Sequence, residues 1–235
     1  MSSGATATLA AATAVSAMAW AVRGRSSSVF APSVWRAPSG RKAIALTFDD
    51  GPCPGTVDIL DLLARHNVRA TFFQVGENVV AHPGIAREVV AAGHELGNHS
   101  HTHPNFALKT PAFVSGEFAR AQAAIREVTG QTPAVLRAPF GVRWFGFRAM
   151  QRELGLRGVM WSIIGRDWKL PAEDIATRIL SRVQDGDIIC LHDGRGTLKD
   201  PDVKPTLEAV RRALPILLEK GYHFETVTQL LCPMK

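Results

Sequence analysis

Segments typical of buried β-strands alternate with segments typical of helices along most of the chain. Apolar runs of the strand type occupy residues 43–48, 69–75, 94–97, 134–137, 157–163, 187–191 and 222–226. Helical patterns lie between them, at residues 56–66, 83–92, 111–129, 145–154, 172–183 and 203–219. Such alternation predicts parallel strands joined by right-handed crossovers. The seven predicted strands, with helices between them, predict an α/β fold, a distorted (β/α) barrel of about seven parallel strands in a single domain. Periodicity alone leaves a doubly wound sheet open.

Most of the formal net charge of +6 of this 235-residue chain arises at its N-terminus. Residues 1–43 hold five of these net positive charges and no acidic residue, which leaves +1 for the remainder. A nearly neutral body argues against a nucleic-acid-binding surface. The three cysteines, without a CxxC pair, predict neither a disulfide framework nor a cysteine zinc site.

The first 41 residues differ from the rest. Residues 5–22 are uncharged and alanine-rich, and Ala17-Met18-Ala19 resembles a signal-peptidase site, although no Lys or Arg precedes them. As a membrane anchor this stretch barely reaches the roughly 20 residues that spanning requires. Residues 24–40 are typical of a linker. We therefore expect an N-terminal apolar segment (signal peptide or anchor) with a linker over residues 1–41, and a folded domain over residues 42–235. An exported or membrane-anchored envelope protein is favoured, with a disordered start or a cytoplasmic location left open.

Five polar motifs follow predicted strands at the points where the strands end. Because the ends of parallel strands converge in space, residues far apart in sequence can share one site there. The motifs are Thr47-Phe48-Asp49-Asp50-Gly51, His99-Ser100-His101-Thr102-His103, Arg137-Ala138-Pro139-Phe140-Gly141, Asp167-Trp168 and Leu191-His192.

The first two motifs predict a metal site. Consecutive strand residues face opposite ways, so one of Asp49 and Asp50 can bind a metal while the other acts on water. A plain polar turn is the alternative. His99 and His103, four residues apart, would share a face on a helical turn and could reach one ion. With Asp50 they would supply two nitrogens and one oxygen, and leave positions open for water and substrate.

The third motif predicts electrostatic support for the first. Arg137 beside Asp49 would hold that carboxylate ionised and oriented. The bend that Pro139 and Gly141 impose could expose the Phe140 N–H as an oxyanion donor. An ordinary surface arginine before a loop is the alternative interpretation.

The last two motifs predict an acid. His192 at a strand end could act as general acid, and Asp167 would stabilise its protonated form and raise its pKa. Trp168 and Leu191 are expected to surround the site and to contact an acyl methyl group.

Taken together, the five motifs resemble the polysaccharide deacetylases, which are the NodB-homology or family-four carbohydrate esterases, over about residues 42–230. The resemblance implies metal-dependent removal of N-acetyl, or O-acetyl, groups from amino-sugar glycans such as chitooligosaccharide or peptidoglycan. It implies Asp49 as general base, His192 as general acid, and Arg137 and Asp167 as their partners. It also implies one divalent metal ion on Asp50, His99 and His103. Zinc is favoured among zinc, cobalt, nickel, manganese and iron.

Three positions depart from the commoner family pattern. The stretch Cys53–Thr56 is short, Phe140 stands in place of a frequent tyrosine, and Arg166 precedes Asp167. These changes leave the substrate open. Alternatives are a deacylase of a lipid-linked sugar, an acetyl ester or a non-sugar amide, a non-catalytic carbohydrate-binding protein, and an envelope interaction protein. The expected partner is an acetylated glycan, with membrane association possible through residues 5–22.

Overall fold

A curled, parallel β-sheet forms the centre of the computed structural model, which describes residues 3–38 and 40–231. Its strands run in the spatial order β1-β6-β5-β4-β3-β2-β8-β7, and β9 pairs with β2. All strand pairs in this part of the chain are parallel. The strands are β1 (Ser33–Val34), β2 (Ala43–Asp49), β3 (Thr71–Gln74), β4 (Glu95–Asn98), β5 (Val135–Leu136), β6 (Arg157–Val159), β7 (Ile163–Ile164), β8 (Ile188–His192) and β9 (His223–Phe224).

Helices cover the outside of this sheet, so the predicted α/β fold, a distorted (β/α) barrel, is confirmed. Each of the six predicted helical segments contains a helix, and α1, α3 and α9 come in addition. The helices are α1 (Ser3–Arg23), α2 (Pro54–Arg65), α3 (Gly76–Ala81), α4 (Pro83–Ala91), α5 (Pro111–Thr129), α6 (Phe147–Glu153), α7 (Ala172–Leu180), α8 (Lys204–Glu219) and α9 (Val227–Leu231).

Strand β2 is buried along its whole length, as expected for a parallel strand covered on both faces. Its outward residues Ile44, Leu46 and Phe48 join the main core cluster, which includes the inner faces of α2, α7 and α8. Its inward residues Ala43 and Ala45 are small and belong to a separate inner cluster. Because side chains alternate along a strand, Asp49 continues this inner face, at the carboxyl end of β2.

The predicted strand over residues 157–163 is wrong in one respect, because it consists of two strands separated by Met160-Trp161-Ser162. Strand β6 pairs with β5 and β1 near one end of the sheet, whereas β7 pairs with β8 at the other end. The Met160 N–H donates to Val34 O and the Ser162 N–H donates to Ile188 O, so the chain changes partners between them. This crossing turns Trp161 toward the cavity described below.

Residues 24–38, expected to be a linker, are instead packed against the barrel. Strand β1 lies at the edge beside β6, and Phe30 stacks on Trp144 with ring centroids 5.0 Å apart. Arg143 is buried, and its guanidinium donates to Gly24 O and to Ser27 O. The packing of this segment could not be predicted from the sequence, because single contacts and not a periodic apolar pattern attach it to the barrel.

The N-terminal helix α1 is exposed from Ala12 to Trp20 and buried at Ala21 and Val22. Within residues 3–38 and 40–231, none of the helices combines the length and the hydropathy needed to cross a membrane. Cys232 lies outside the described residues. Cys53 and Cys190 are buried free thiols.

Candidate active site

A cavity of about 520 Å³ opens at the carboxyl ends of the strands, where the sequence motifs converge. Three predicted site residues lie outside its lining: Arg137 and Asp167 contact the lining residues from behind, and Leu191 belongs to the main core. The predicted contact of Leu191 with an acyl group therefore has no support in the structure. The lining comprises Arg23, Asp49, Asp50, His99, His103, Ala138, Phe140, Trp161, Ile164, Trp168, Cys190, His192, Arg195 and Gly196.

Asp50, His99 and His103 converge as the predicted metal-binding group. Asp50 Oδ1 lies 3.2 Å from His99 Nε2 and 3.0 Å from His103 Nε2. Two ligands at about 2.1 Å from one ion would stand about 3.0 Å apart at a right angle and about 3.4 Å apart at the tetrahedral angle. The observed spacing therefore fits one shared cation.

The backbone that presents the two histidines is not the helical turn expected from their spacing. Residues 99–103 form a bent loop, in which Ser100 and His103 have φ angles of 66° and 54°. The Ser100 Oγ accepts a hydrogen bond from the His103 N–H, which holds the loop closed. The left-handed φ angles thus bring the imidazoles of His99 and His103 to the same side of the loop, as a helical turn would also have done.

Neighbouring groups orient the side chains of this candidate metal site. His99 Nδ1 lies 2.7 Å from Arg137 O, and the tautomer that donates this bond turns an unprotonated Nε2 toward Asp50. Asp50 has a φ of 75°, and its Oδ2 accepts from the Gly196 N–H. Its Oδ1 is buried and has no hydrogen-bond partner among the described residues. An unpartnered oxygen between two imidazole nitrogens is the arrangement that a bound cation would satisfy.

Electrostatics favour the ionised form of Asp50. Burial alone would raise the pKa of this carboxyl, but the adjacent imidazoles of His103 and His99 hold its pKa well below the usual value. The carboxylate is therefore available as a ligand without losing a proton near neutral pH.

Asp49 is held by a fully buried arginine, as the third motif predicts. Arg137 Nη1 donates to Asp49 Oδ1 at 2.6 Å and to Thr47 Oγ1 at 2.8 Å. The guanidinium also lies 4.1 Å from the centre of the Phe73 ring. Among the described residues, only the Cys190 thiol lies within hydrogen-bond distance of the second carboxylate oxygen, Oδ2, at 3.5 Å. One oxygen is thus fixed, and the other is directed into the cavity.

His192 and Asp167 are in contact, as the last two motifs predict. His192 Nδ1 lies 2.8 Å from Asp167 Oδ1, while Asp167 Oδ2 accepts from the His192 N–H and from Thr206 Oγ1. Burial alone would lower the pKa of His192, but the hydrogen bond and charge of Asp167 raise it to about 9. A protonated imidazole with a free Nε2 therefore faces the cavity at neutral pH.

Aromatic side chains form the rim of the cavity. Phe140 and Trp168 are each 51% exposed, and they lie edge-on against His103 and His192 respectively. Phe140 has a φ of 57° within a short 3₁₀ turn, Pro139–Gly141. The turn is closed by the N–H groups of Gly141 and Val142, and neither bond uses the Phe140 N–H.

Two glycines allow the first and last motifs to approach each other closely. A Cβ on Gly51 would lie 2.1 Å from Asp193 Oδ2, and one on Gly194 would lie 2.2 Å from Asp50 O. Both distances are shorter than any real contact, so larger residues would push the loops after β2 and β8 apart.

Sequence reasoning missed several residues that support the site. Cys190 reaches Asp49, and burial raises the pKa of its thiol well above the usual value. Thr206 comes from the first turn of α8, and Arg195 donates to Asp167 O. Thr206 lies outside every motif, so nothing in the sequence around it predicts its contact with Asp167. Arg195 follows Leu191-His192 closely and could have been considered with it.

Comparison with known proteins identifies the family. Residues 36–159 match the family model described as polysaccharide deacetylase. The chitooligosaccharide deacetylase of Bradyrhizobium sp. (strain ANU 289) is 38% identical over 201 residues, which cover 82% of this chain and 92% of the relative. The chain belongs to the polysaccharide deacetylase family. It is therefore a hydrolase that acts on carbon–nitrogen bonds other than peptide bonds, as the five motifs predict.

Two further relatives indicate the breadth of this deacetylase family. The peptidoglycan-N-acetylglucosamine deacetylase PgdA of Listeria monocytogenes is 35% identical over 206 residues, which cover 87% of this chain but only 42% of the relative. A solved mutant of a family-four pseudoenzyme from Bacillus anthracis, with restored enzymatic activity, has a TM-score of 0.78 and 27% identity. The match covers 86% of this chain and 71% of that chain.

Proposed function

We propose that this deacetylase removes the N-acetyl group from N-acetylglucosamine units of a chitooligosaccharide-type or peptidoglycan-type glycan, with the help of one divalent cation. The observation that carries the proposal is the arrangement of three groups in one cavity. A donor set for a cation, a carboxylate with one free oxygen and a protonated histidine all line it.

Asp50, His99 and His103 would hold the cation, and zinc suits their two imidazole nitrogens and one carboxylate oxygen. A bound divalent cation would supply Lewis-acid polarisation of the acetyl carbonyl and would make a nearby water more acidic. Asp49 and His192 line the same cavity as these three residues. The substrate can therefore approach through this cavity.

Asp49 acts as general base in this proposal. Arg137 fixes Oδ1, so Oδ2 accepts the proton of the water whose oxygen bonds to the acetyl carbon. The Cys190 thiol, kept protonated by burial, lies beside Oδ2 as a weak donor and not as a competing nucleophile.

His192 acts as general acid. Its Nδ1 is engaged by Asp167, so its Nε2 proton passes to the sugar nitrogen as the carbon–nitrogen bond breaks. The products are acetate and a free amine. Because the imidazole is already protonated at neutral pH, no earlier proton uptake is required.

The cavity walls can position the acetyl group. The Phe140 N–H, unused by its own turn, is available to the developing oxyanion. Trp168 and Ile164 line the same cavity and offer apolar surface to the acetyl methyl group. The replacement of the commoner tyrosine by Phe140 leaves the backbone donor in place.

The substrate assignment follows the relatives, whose names specify chitooligosaccharide and peptidoglycan N-acetylglucosamine. The pseudoenzyme makes the non-catalytic alternative worth testing. That alternative predicts a missing acid or base, whereas both Asp49 and His192 are present here with their partners in contact.

Acetate release tests the proposal directly. Metal-stripped protein is incubated with N-acetylglucosamine oligomers or peptidoglycan, with and without added zinc or cobalt. We expect metal-dependent acetate release from at least one of them. Absence of release by folded, metal-loaded protein would overturn the proposal, and glycan binding without turnover would identify a pseudoenzyme.

Asp49→Asn separates catalysis from metal binding. Loss of the base should lower kcat on the order of 10²- to 10⁴-fold while the bound-metal stoichiometry stays unchanged. Asp61→Asn, on the exposed face of α2, makes the same chemical change as a control. Near-normal turnover of Asp49→Asn would remove this residue from the role of base.

A further inference from the structure

One cationic side chain at the cavity has no role in the chemistry described above. Arg23, the last residue of α1, lines the cavity together with the catalytic pair. It precedes residues 36–159, which match the family model, so the segment before that match supplies it. Its side chain is exposed and makes no hydrogen bond or ion pair with any residue within 3–38 and 40–231.

The backbone around Arg23 is fixed on both sides. The Arg143 N–H donates to Val22 O at 3.0 Å, and the buried Arg143 guanidinium donates to Gly24 O. Ser27 Oγ donates to Ala21 O at 3.0 Å, which closes the turn that follows α1. The base of the Arg23 side chain is therefore held at the cavity, although the guanidinium itself is free.

The other charged groups of the cavity already have partners. Asp49 is paired with Arg137, and His192 is paired with Asp167. Asp50 faces two imidazoles, and Arg195 donates to two backbone carbonyls, those of Gly194 and Asp167. Among the charged residues lining this cavity, Arg23 is the one whose charge is uncompensated in the described structure. Such a group is suited to an anion that the substrate brings.

We propose that Arg23 is a substrate-binding residue that recognises an acidic group, a carboxylate or a phosphate, on the glycan close to the acetylated sugar. The inference rests on the proposed function and narrows its substrate class to acidic glycans. A guanidinium can bind either group through two parallel hydrogen bonds. Because the site is exposed, the interaction adds moderate affinity and weakens as salt increases.

The test compares the wild-type protein with Arg23→Gln on matched substrates. The acidic substrate is a peptidoglycan fragment with free carboxylates, and the same fragment after amidation of its carboxyl groups is its neutral counterpart. Chitooligosaccharide with and without a phosphate substituent gives the second pair. Arg87→Gln, which removes an exposed arginine of α4, is the control for net charge.

We expect Arg23→Gln to raise KM about three- to fivefold for one or both acidic substrates and to leave their kcat unchanged, as loss of uniform binding requires. The neutral substrates and Arg87→Gln should show no such change. The acidic substrate whose KM rises in Arg23→Gln shows whether Arg23 binds a carboxylate or a phosphate. An equal effect on neutral and acidic substrates, or no effect on either acidic one, would overturn the inference.

Failure of the proposed function would be seen separately, as absence of acetate release from every substrate by the wild-type protein. In that case the affinities are measured by titration of tryptophan fluorescence, since Trp161 and Trp168 line the cavity. A weaker affinity of Arg23→Gln for acidic glycan alone would still support the role of Arg23, and unchanged affinity would reject it.

Discussion

His192 depends on Asp167 for its protonation state. The folded-state pKa of this histidine, about 9, lies above the ordinary value of 6.5. Protonation therefore stabilises the folded protein, fully below about pH 6.5, and this contribution is lost as the pH rises through about 9. A shift of this size corresponds to on the order of 3 kcal/mol in the free energy of unfolding.

Asp167→Asn should remove most of this shift. We expect the pKa of His192, followed by NMR titration of metal-stripped protein, to fall toward its ordinary value. The variant should also lose the alkaline decrease in the free energy of unfolding between pH 6.5 and 9. Asp61→Asn should leave both curves in place. An unchanged His192 titration in Asp167→Asn would mean that Asp167 is not the cause.

The positions of site residues in the structure were predictable where a motif directly follows a strand. Asp50, His99 and His103 follow strand ends and carry metal-binding atoms, so strand order alone brings them together. Thr206 and Cys190 could not be predicted in the same way. Their contacts with Asp167 and Asp49 depend on how α8 and β8 pack, which a local pattern does not specify.

At the level of secondary-structure elements, the segment from Gly24 to Val34 is held to the barrel largely by hydrogen bonds from one side chain. Its attachment relies on Arg143, which donates to Gly24 O, Ser27 O and Ser33 Oγ. Burial lowers the pKa of this guanidinium below its usual value. The hydrogen bonds offset that cost of burying a charge, so the arginine serves as a polar cross-link.

Arg143→Leu should detach this segment. Buried carbonyls would lose their donors, and we expect the free energy of unfolding to fall by on the order of 3 kcal/mol, measured by denaturant titration. Hydrogen exchange should increase in residues 24–34 before it increases in β2. Arg148→Leu, which removes an exposed contact to Ser28 O, should cost less than about 1 kcal/mol. Equal losses in the two variants would contradict the cross-link.

The strands and helices themselves were largely predictable because their periodicity is local. Two errors have identifiable physical causes. The run over residues 157–163 changes partner strands at Met160–Ser162, and residues 99–103 use left-handed φ angles instead of a helical turn. At Met160 a tertiary hydrogen bond to Val34 O overrides the preference of the local sequence. In the loop over residues 99–103 a local hydrogen bond, from the His103 N–H to Ser100 Oγ, stabilises the non-helical backbone.

At the scale of the whole molecule, the site connects segments that are far apart in the chain. Asp50 follows β2, His99 and His103 follow β4, and His192 ends β8. An unfolded chain cannot hold these donors around one cation. Metal binding should therefore stabilise the folded state selectively, by about 2.7 kcal/mol at a free metal concentration 100 times Kd.

For a chain of this length, that stabilisation corresponds to a rise in Tm of about 5–10 °C. We expect zinc to produce such a rise in metal-stripped protein, measured by calorimetry at a metal concentration set from the measured Kd. Asp50→Ala should abolish the rise, whereas Asp49→Asn should retain it, because Asp49 lies outside the proposed ligand set. A rise that persists in Asp50→Ala would place the stabilising ion elsewhere. Loss of the rise in both variants would instead show that metal binding also requires Asp49, contrary to the proposed ligand set.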